Sequence, residues 1–368
     1  MSEYNYSPGL EGVIAGETAI SEVDGDAGRL YYRGYPVEEL VQKRYLEVML
    51  LVLEGTLPTE TEIADLAAFL AVHGALDDAE LASVKACRHV HPMQAVQALL
   101  PMLCYRDDRL GDFDVETTRG LQMIAKMPTL IAALYCEESG RAAPGMDSSA
   151  GYLQNFLTMF TGDNPSPRFV DVLKVVQVLQ MEHSFNAGTF ATRVVGSTLA
   201  PIEAVFSAGI GTLAGILHGG ADEAALVDAR RVGSPDNAAA WIDALLARKG
   251  KLMGMGHREY RVVDPRSALL KPIAKSLCMG TAAENTYLTL EAMETAFAER
   301  MAERGKPVKA NLEFYKGAVY EVLGIPPHYF TAVFAMSRMV GWLAHFMEQR
   351  ANNRIYRPRA IYTGRQAA

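Results

Sequence analysis

Leu40–Thr59 reads LVQKRYLEVMLLVLEGTLPT. Leu40, Val41, Val48, Leu51 and Val52 recur at spacings of three and four, the period of a helix with one buried face. Gly55 can take the left-handed conformation that closes a helix. Leu57-Pro58-Thr59 breaks the chain, and Thr59 or Thr61 can accept from the first free N–H groups of the next helix. The stretch is therefore a helix, a stop and a second helix start.

The same pattern extends over much of the chain. Helices are expected over Glu62–His73, Asp78–Val90, Met93–Leu103, Thr117–Glu138, Gly151–Phe160, Arg168–Asn186, Thr189–Thr198, Pro201–Leu217 and Phe330–Met347. Before Leu40, Gly9, Gly12, Gly16, Gly25, Gly28 and Gly34 interleave with Val13, Ile14, Ile20, Val23, Leu30, Tyr31 and Tyr32, which suits one or two short strands and turns. No strands alternate with helices at βαβ spacing, so a Rossmann or barrel fold is disfavoured and the expected class is all-α. After His218-Gly219-Gly220 the sequence is more charged and loop-broken. Residues 221 to 326 are read as a smaller lobe inserted between two parts of a larger one, 1 to 220 and 327 to 368. A small-residue face on Ala204–Leu217, made by Ala204, Ala208, Gly211, Ala214 and Gly215, suits either a core helix or a subunit interface.

With 368 residues, 49% hydrophobic and 21% charged, the chain is long enough for a large core. A net charge of −8 argues against nucleic acid as partner, so an anionic substrate must be held by locally clustered arginines. Cys87, Cys104, Cys136 and Cys278 are far apart, which suggests neither a disulfide framework nor a zinc site. The N-terminus has no secretory pattern, and the apolar run Ala204–Leu217 is too short to span a bilayer, so a cytoplasmic location is expected.

Glycine-rich loops give no nucleotide site. Gly209, Gly211 and Gly215 have the wrong last spacing and no preceding strand, and Gly250-Lys251 and Gly305-Lys306 lack the Ser or Thr of a P-loop. Among eight histidines, three stand out by context. His183 precedes Asn186-Ala187-Gly188-Thr189. His218 joins an apolar helix end to Gly219-Gly220. His257 lies in GKLMGMGHREYRVVDPR, Gly250–Arg266, where glycines let main-chain N–H groups converge just before the imidazole. No metal-ligand spacing links them. Separated imidazoles, a carboxylate and Arg266, Arg338 and Arg357 suit a carbon–carbon condensation of a thioester with a keto acid. That reaction needs a base, donors to two carbonyl oxygens and cations for carboxylates.

The order G-x-G-H-x-x-Y-x-x-x-D-P-R resembles a signature of the citrate synthase family, including the closely similar 2-methylcitrate synthases. The resemblance continues through GLEGV (9–13), YYRGYPVEEL (31–40), GTLP (55–58), HPM (91–93), AKMPT (125–129), NFLTMFTG (155–162), EHSFNAGTFATRVVGST (182–198), LHGGA (217–221), NLEFYKG (311–317), SRMVGWLAH (337–345) and RPRAIYTG (357–364). It implies a two-lobed helical fold with a large domain and an inserted small helical domain, of the short, dimeric type. It also implies condensation of acetyl-CoA with oxaloacetate to citrate, with acetyl-CoA as co-substrate and no permanently bound cofactor.

By motif, the resemblance makes His218 the donor to the thioester carbonyl and His257 the donor to the keto carbonyl. His183 becomes an oxaloacetate ligand, and Arg266, Arg338 and Arg357 the carboxylate clamps, Arg357 reaching in from a partner subunit. The main chain of Leu252, Met253, Gly254, Met255 and Gly256 becomes the CoA adenine site. Where the family pattern is N-V-D-F-Y-S-G, with the aspartate as base, this chain has Asn311-Leu312-Glu313-Phe314-Tyr315-Lys316-Gly317. Where it is G-P-L-H-G-G-A-N, Ile216 replaces the proline and Asp222 the asparagine. The usual H-R-V-Y-K is His257-Arg258-Glu259-Tyr260-Arg261, and Ala310 stands for a proline. Glu313 becomes the expected base; 2-methylcitrate synthesis from propionyl-CoA and a catalytically impaired paralogue are the alternatives.

Overall fold

A computed structural model describes residues 6–103, 105–142 and 145–365; Cys104 lies outside them. The chain opens with an antiparallel sheet of β1 (Ser21–Asp24), β2 (Arg29–Tyr32) and β3 (Tyr35–Pro36), one strand more than expected, in the order β1-β2-β3. Among the described residues helices follow without further strands: α1 (Val37–Leu40), α2 (Tyr45–Glu54), α3 (Glu60–His73), α4 (Asp78–Ala86), α5 (Pro92–Leu99), α6 (Val115–Glu138), α7 (Tyr152–Thr161) and α8 (Pro167–Met181). Next come α9 (Ala187–Ser197), α10 (Ile202–Leu213), α11 (Ala221–Val232), α12 (Ala238–Ala247), α13 (Pro265–Cys278), α14 (Glu284–Glu303), α15 (Leu312–Val322) and α16 (Phe330–Ala351). The all-α expectation holds. No helix among the described residues is long and apolar enough to cross a membrane.

The opening stretch folds as its residues dictate. Gly55 closes α2 at φ +88°, and the Thr59 side chain accepts from Glu62 N while Glu62 accepts from Thr59 N, a reciprocal cap worth about 1 kcal/mol. Every residue of α16 from Phe330 to Phe346 is buried, and α2, α5, α6, α8, α9 and α10 pack around it.

Three expectations need correcting, each where tertiary contacts override periodicity. The expected Arg168–Asn186 helix ends at Met181, because the buried Tyr32 hydroxyl, 3.0 Å from Val178 O and 2.9 Å from Glu182 O, shares its one proton among carbonyls at the helix end. Glu182 then turns extended and donates its N–H to the Tyr32 hydroxyl. The expected Pro201–Leu217 helix stops at Leu213, after which Gly219 N donates to Leu213 O and a turn carries His218. The stretch 221 to 326, read from its residues as loop-broken, contains α11 to α15, which pack on one another. The apolar stripe of α14 is narrow, and the helix buries Tyr287, Leu290, Met293 and Phe297 beneath a charged outer face.

Candidate active site

The site assembles where the interruptions of the helices meet. The loop Glu182–Asn186 follows α8, and Asn186 caps α9 by accepting from Thr189 N at 3.1 Å. His183 is buried, and its Nε2 lies 3.1 Å from the Tyr260 hydroxyl. The ring centroids of His183 and His257 are 5.3 Å apart. Glu182, behind them, is fully buried with its Oε1 accepting from Ser21 at 2.9 Å and lying 2.9 Å from His345 Nε2.

Main-chain donors decide the orientation of two imidazoles. Gly188 N donates to His218 Nε2 at 3.3 Å, so the neutral ring carries its proton on Nδ1. Glu259 N and Tyr260 N donate to His257 Nδ1 at 3.0 and 3.3 Å, which leaves Nε2 as that ring's donor. Both rings stay neutral. Burial, helped by Arg338, pulls His218 down to about 4. Burial, helped by Arg266, lowers His257. Burial, then Arg266, His257 and Arg338, lowers His183 well below the ordinary imidazole value.

Arg266 starts α13 and is 3% exposed. Asp264, the cap of that helix, holds it by a bidentate pair, Nε to Oδ1 at 3.0 Å and Nη2 to Oδ2 at 2.8 Å. Burial opposes its charge, but Asp264 and Glu313 more than offset this and raise its pKa. Arg266 Nη2 also lies 3.3 Å from His257 Nε2, so two donors converge where one acceptor could satisfy both. Arg338, in mid α16, donates from Nε to Gln180 O at 2.7 Å and stacks on Phe334 at 4.8 Å. Burial lowers its pKa, against the pull of Glu182.

Leu252–Gly256 is joined to the start of α15. Gly256 N donates to Lys309 O at 2.8 Å, Asn311 N to Gly254 O at 2.9 Å, and Asn311 Nδ2 to Gly256 O at 3.1 Å. Gly254 has φ +79°, and a Cβ there would sit 3.0 Å from Phe314 Cα, so the close approach requires glycine. Glu313 is thereby fixed in the first turn of α15, its N–H donating to Asn311 Oδ1 at 3.1 Å. Burial raises the Glu313 carboxyl, but Lys316, then Arg266, the main chain and His257 outweigh it and leave it below the ordinary carboxylate value. It is an ionised, nearly buried carboxylate.

Arg357 is not with the others in this chain. It lies exposed on the C-terminal tail and donates to Pro358 O at 2.8 Å. Sequence reasoning missed Tyr260, Asp264, Asn311 and Gln180 as contributors. Asp264-Pro265 was legible only as a break, although an Asp before Pro-Arg is also a ready cap and arginine partner.

The family model described as "Citrate synthase, C-terminal domain" matches residues 9–359. A citrate synthase of Deinococcus radiodurans is 36% identical over 98% of this chain and 96% of its own. A 2-methylcitrate synthase of Mycobacterium tuberculosis is 36% identical over 97% and 90%. Among solved structures, citrate synthase from Thermoplasma acidophilum, in ternary complex with carboxymethyl coenzyme A and oxaloacetate, aligns with a TM-score of 0.91 at 28% identity, covering 99% of this chain and 97% of that one. Citrate synthase from Pyrobaculum aerophilum aligns with a TM-score of 0.88 at 34% identity, covering 98% and 93%. With its length-wide match, its helical architecture and its convergent imidazoles and guanidinium groups, this chain belongs to the citrate synthase family.

Proposed function

We propose that the protein condenses acetyl-CoA with oxaloacetate to give citrate and CoA. The observation that carries this is the pairing of two neutral imidazoles, each with its outer N–H free to donate, with an ionised buried carboxylate. The Glu313 carboxylate takes a proton from the acetyl methyl group while His218 Nδ1–H hydrogen-bonds to the thioester oxygen, which carries the enolate charge left behind. The enolate carbon attacks the keto carbon of oxaloacetate, and the oxygen that becomes an alkoxide is held by His257 Nε2–H and takes up the proton that left the methyl group, which returns Glu313 to its carboxylate. Water then cleaves the citryl thioester, releasing citrate and CoA. Arg266 and Arg338 hold the oxaloacetate carboxylates beside His183, and Leu252–Gly256 offers its main chain to the adenine.

A homodimer completes the site in this reading, with Arg357 supplied across the interface. It is supported by the exposed tail and by the exposed Ile216 and Leu217 at the end of α10. Residues 221 to 326 act as a small domain that closes on the larger part and excludes water. Free thiols at Cys87, Cys136 and Cys278 suit a reducing, cytoplasmic setting.

The test is steady-state CoA release with oxaloacetate and either acetyl-CoA or propionyl-CoA. Turnover favouring acetyl-CoA is expected; a preference for propionyl-CoA assigns 2-methylcitrate synthesis instead. Glu313→Gln is expected to lower turnover on the order of 10²- to 10⁴-fold, and turnover equal to that of the unmodified protein removes Glu313 as base.

A further inference from the structure

Lys316 and Asp222 are both wholly buried. A lysine ammonium in a helical core is unfavourable unless it is paired. Here Nζ lies 3.0 Å from Asp222 Oδ2, donates to Gln180 Oε1 at 2.8 Å and sits 4.4 Å from the centre of the Phe334 ring. The condensation steps use neither charge.

Two features tie the pair to the reacting groups. Lys316 follows Glu313 by three positions on α15, a spacing that puts both side chains on one helix face. Gln180, which accepts from Lys316 through its side chain, accepts from Arg338 through its main-chain oxygen, and Lys316 and Arg338 share the Phe334 ring. Lys316 thus links the helix carrying the base to the helix carrying a buried guanidinium. Positions 222, 313 and 316 are also three of those at which this chain leaves the family pattern, and all three gain length or charge.

The geometry points to Lys316, clamped by Asp222 and Gln180, as the positioning residue for the Glu313 carboxylate. Residues 222, 313 and 316 then form one unit in which a fixed cation sets where the longer side chain rests. This rests on Glu313 being the base. The other groups whose charge acts on or responds to Glu313 are those of Arg266 on α13, His257 before it, His218 after α10, Asp222 on α11, Arg338 on α16 and Tyr320 on its own helix. Lys316 leads the groups that offset the cost of burying the carboxylate.

The test is the double variant D222N/K316Q, which removes both charges together and leaves neither buried alone. Its kcat is expected to fall on the order of ten- to a hundredfold with the KM for oxaloacetate kept. The acid limb of kcat/KM moves to higher pH, since Lys316 is the leading charge that lowers the Glu313 carboxyl and loss of the Asp222 anion offsets only part of its removal. Glu313→Asp alone lowers kcat, whereas Glu313→Asp added to D222N/K316Q raises it. D222N/K316S carries the same test should the first variant not fold. An unmoved acid limb, with Glu313→Asp acting by the same factor on both backgrounds, overturns the proposal. Full turnover by Glu313→Gln is a separate result that removes the base, and this proposal with it.

Discussion

Arg338→Met separates anion binding from stability. The guanidinium is 2% exposed, and its one hydrogen bond among the described residues is from Nε to Gln180 O. It has no carboxylate within ion-pair distance there, so its charge is buried without a direct counterion. Methionine is apolar and fills the site as far as Nε, two bonds short of the guanidinium nitrogens. Its cost is the unpaired Gln180 carbonyl and the lost stacking on Phe334, about 1–3 kcal/mol, and its gain is relief from burying a charge, of comparable size. The melting midpoint without ligand is therefore expected to move by only a few degrees.

Binding has no such offset. A charge-assisted bond to a carboxylate is worth about 1.5–3 kcal/mol, so oxaloacetate affinity should fall about 10- to 150-fold. At a concentration near 100 times the original Kd, oxaloacetate stabilises the unmodified protein by about 2.7 kcal/mol. By the same relation the variant gains only about 0.3–1.4 kcal/mol. Calorimetric titration and thermal melts with and without oxaloacetate read both quantities. Unaltered affinity, or a collapse of the unliganded fold with affinity kept, refutes the reasoning.

Other outcomes follow from the same geometry. His183, His218 and His257 are held below the ordinary imidazole value, His218 at about 4. Unfolded histidines bind protons below about pH 6.5, so stability falls as pH drops from there toward the folded values. His218→Gln should flatten that slope in denaturant midpoints, and an unchanged slope contradicts the assignment. A Cβ at Gly25 would meet Glu259 O at 2.1 Å, and Arg261 N donates to Gly25 O at 3.0 Å. Gly25→Ala should therefore displace the His257 loop, costing about 1–3 kcal/mol and lowering turnover; unaffected melting and kinetics show that the contact yields freely. The atoms nearest a Cβ at Gly211 belong to the flexible Gln97 side chain of the same chain, whereas Ala204, Ala214 and Gly215 are exposed. Ala204→Arg should dissociate the expected dimer in light scattering, and a dimer that survives it places the interface elsewhere.

Local chemistry made much of this protein legible in its sequence. The stop at Gly55, the cap at Thr59 and the helical periodicity of α2, α3, α6 and α16 depend on residues within a turn or two of each other. The motif residues His183, His218, His257, Arg266, Arg338 and Glu313 were named from order alone. Their chemistry was not. Which nitrogen of His218 carries the proton depends on Gly188 N, and which nitrogen of His257 on the main chain of Glu259 and Tyr260. The end of α8 depends on a hydroxyl from the distant Tyr32, and α14 on neighbours that cover a narrow stripe. Asp222 and Lys316 each read as an isolated departure until folding placed them 3.0 Å apart. Caps and periodicity act through the chain itself, but desolvation and charge act through space, so protonation and pairing in a buried site exist only once distant segments share it.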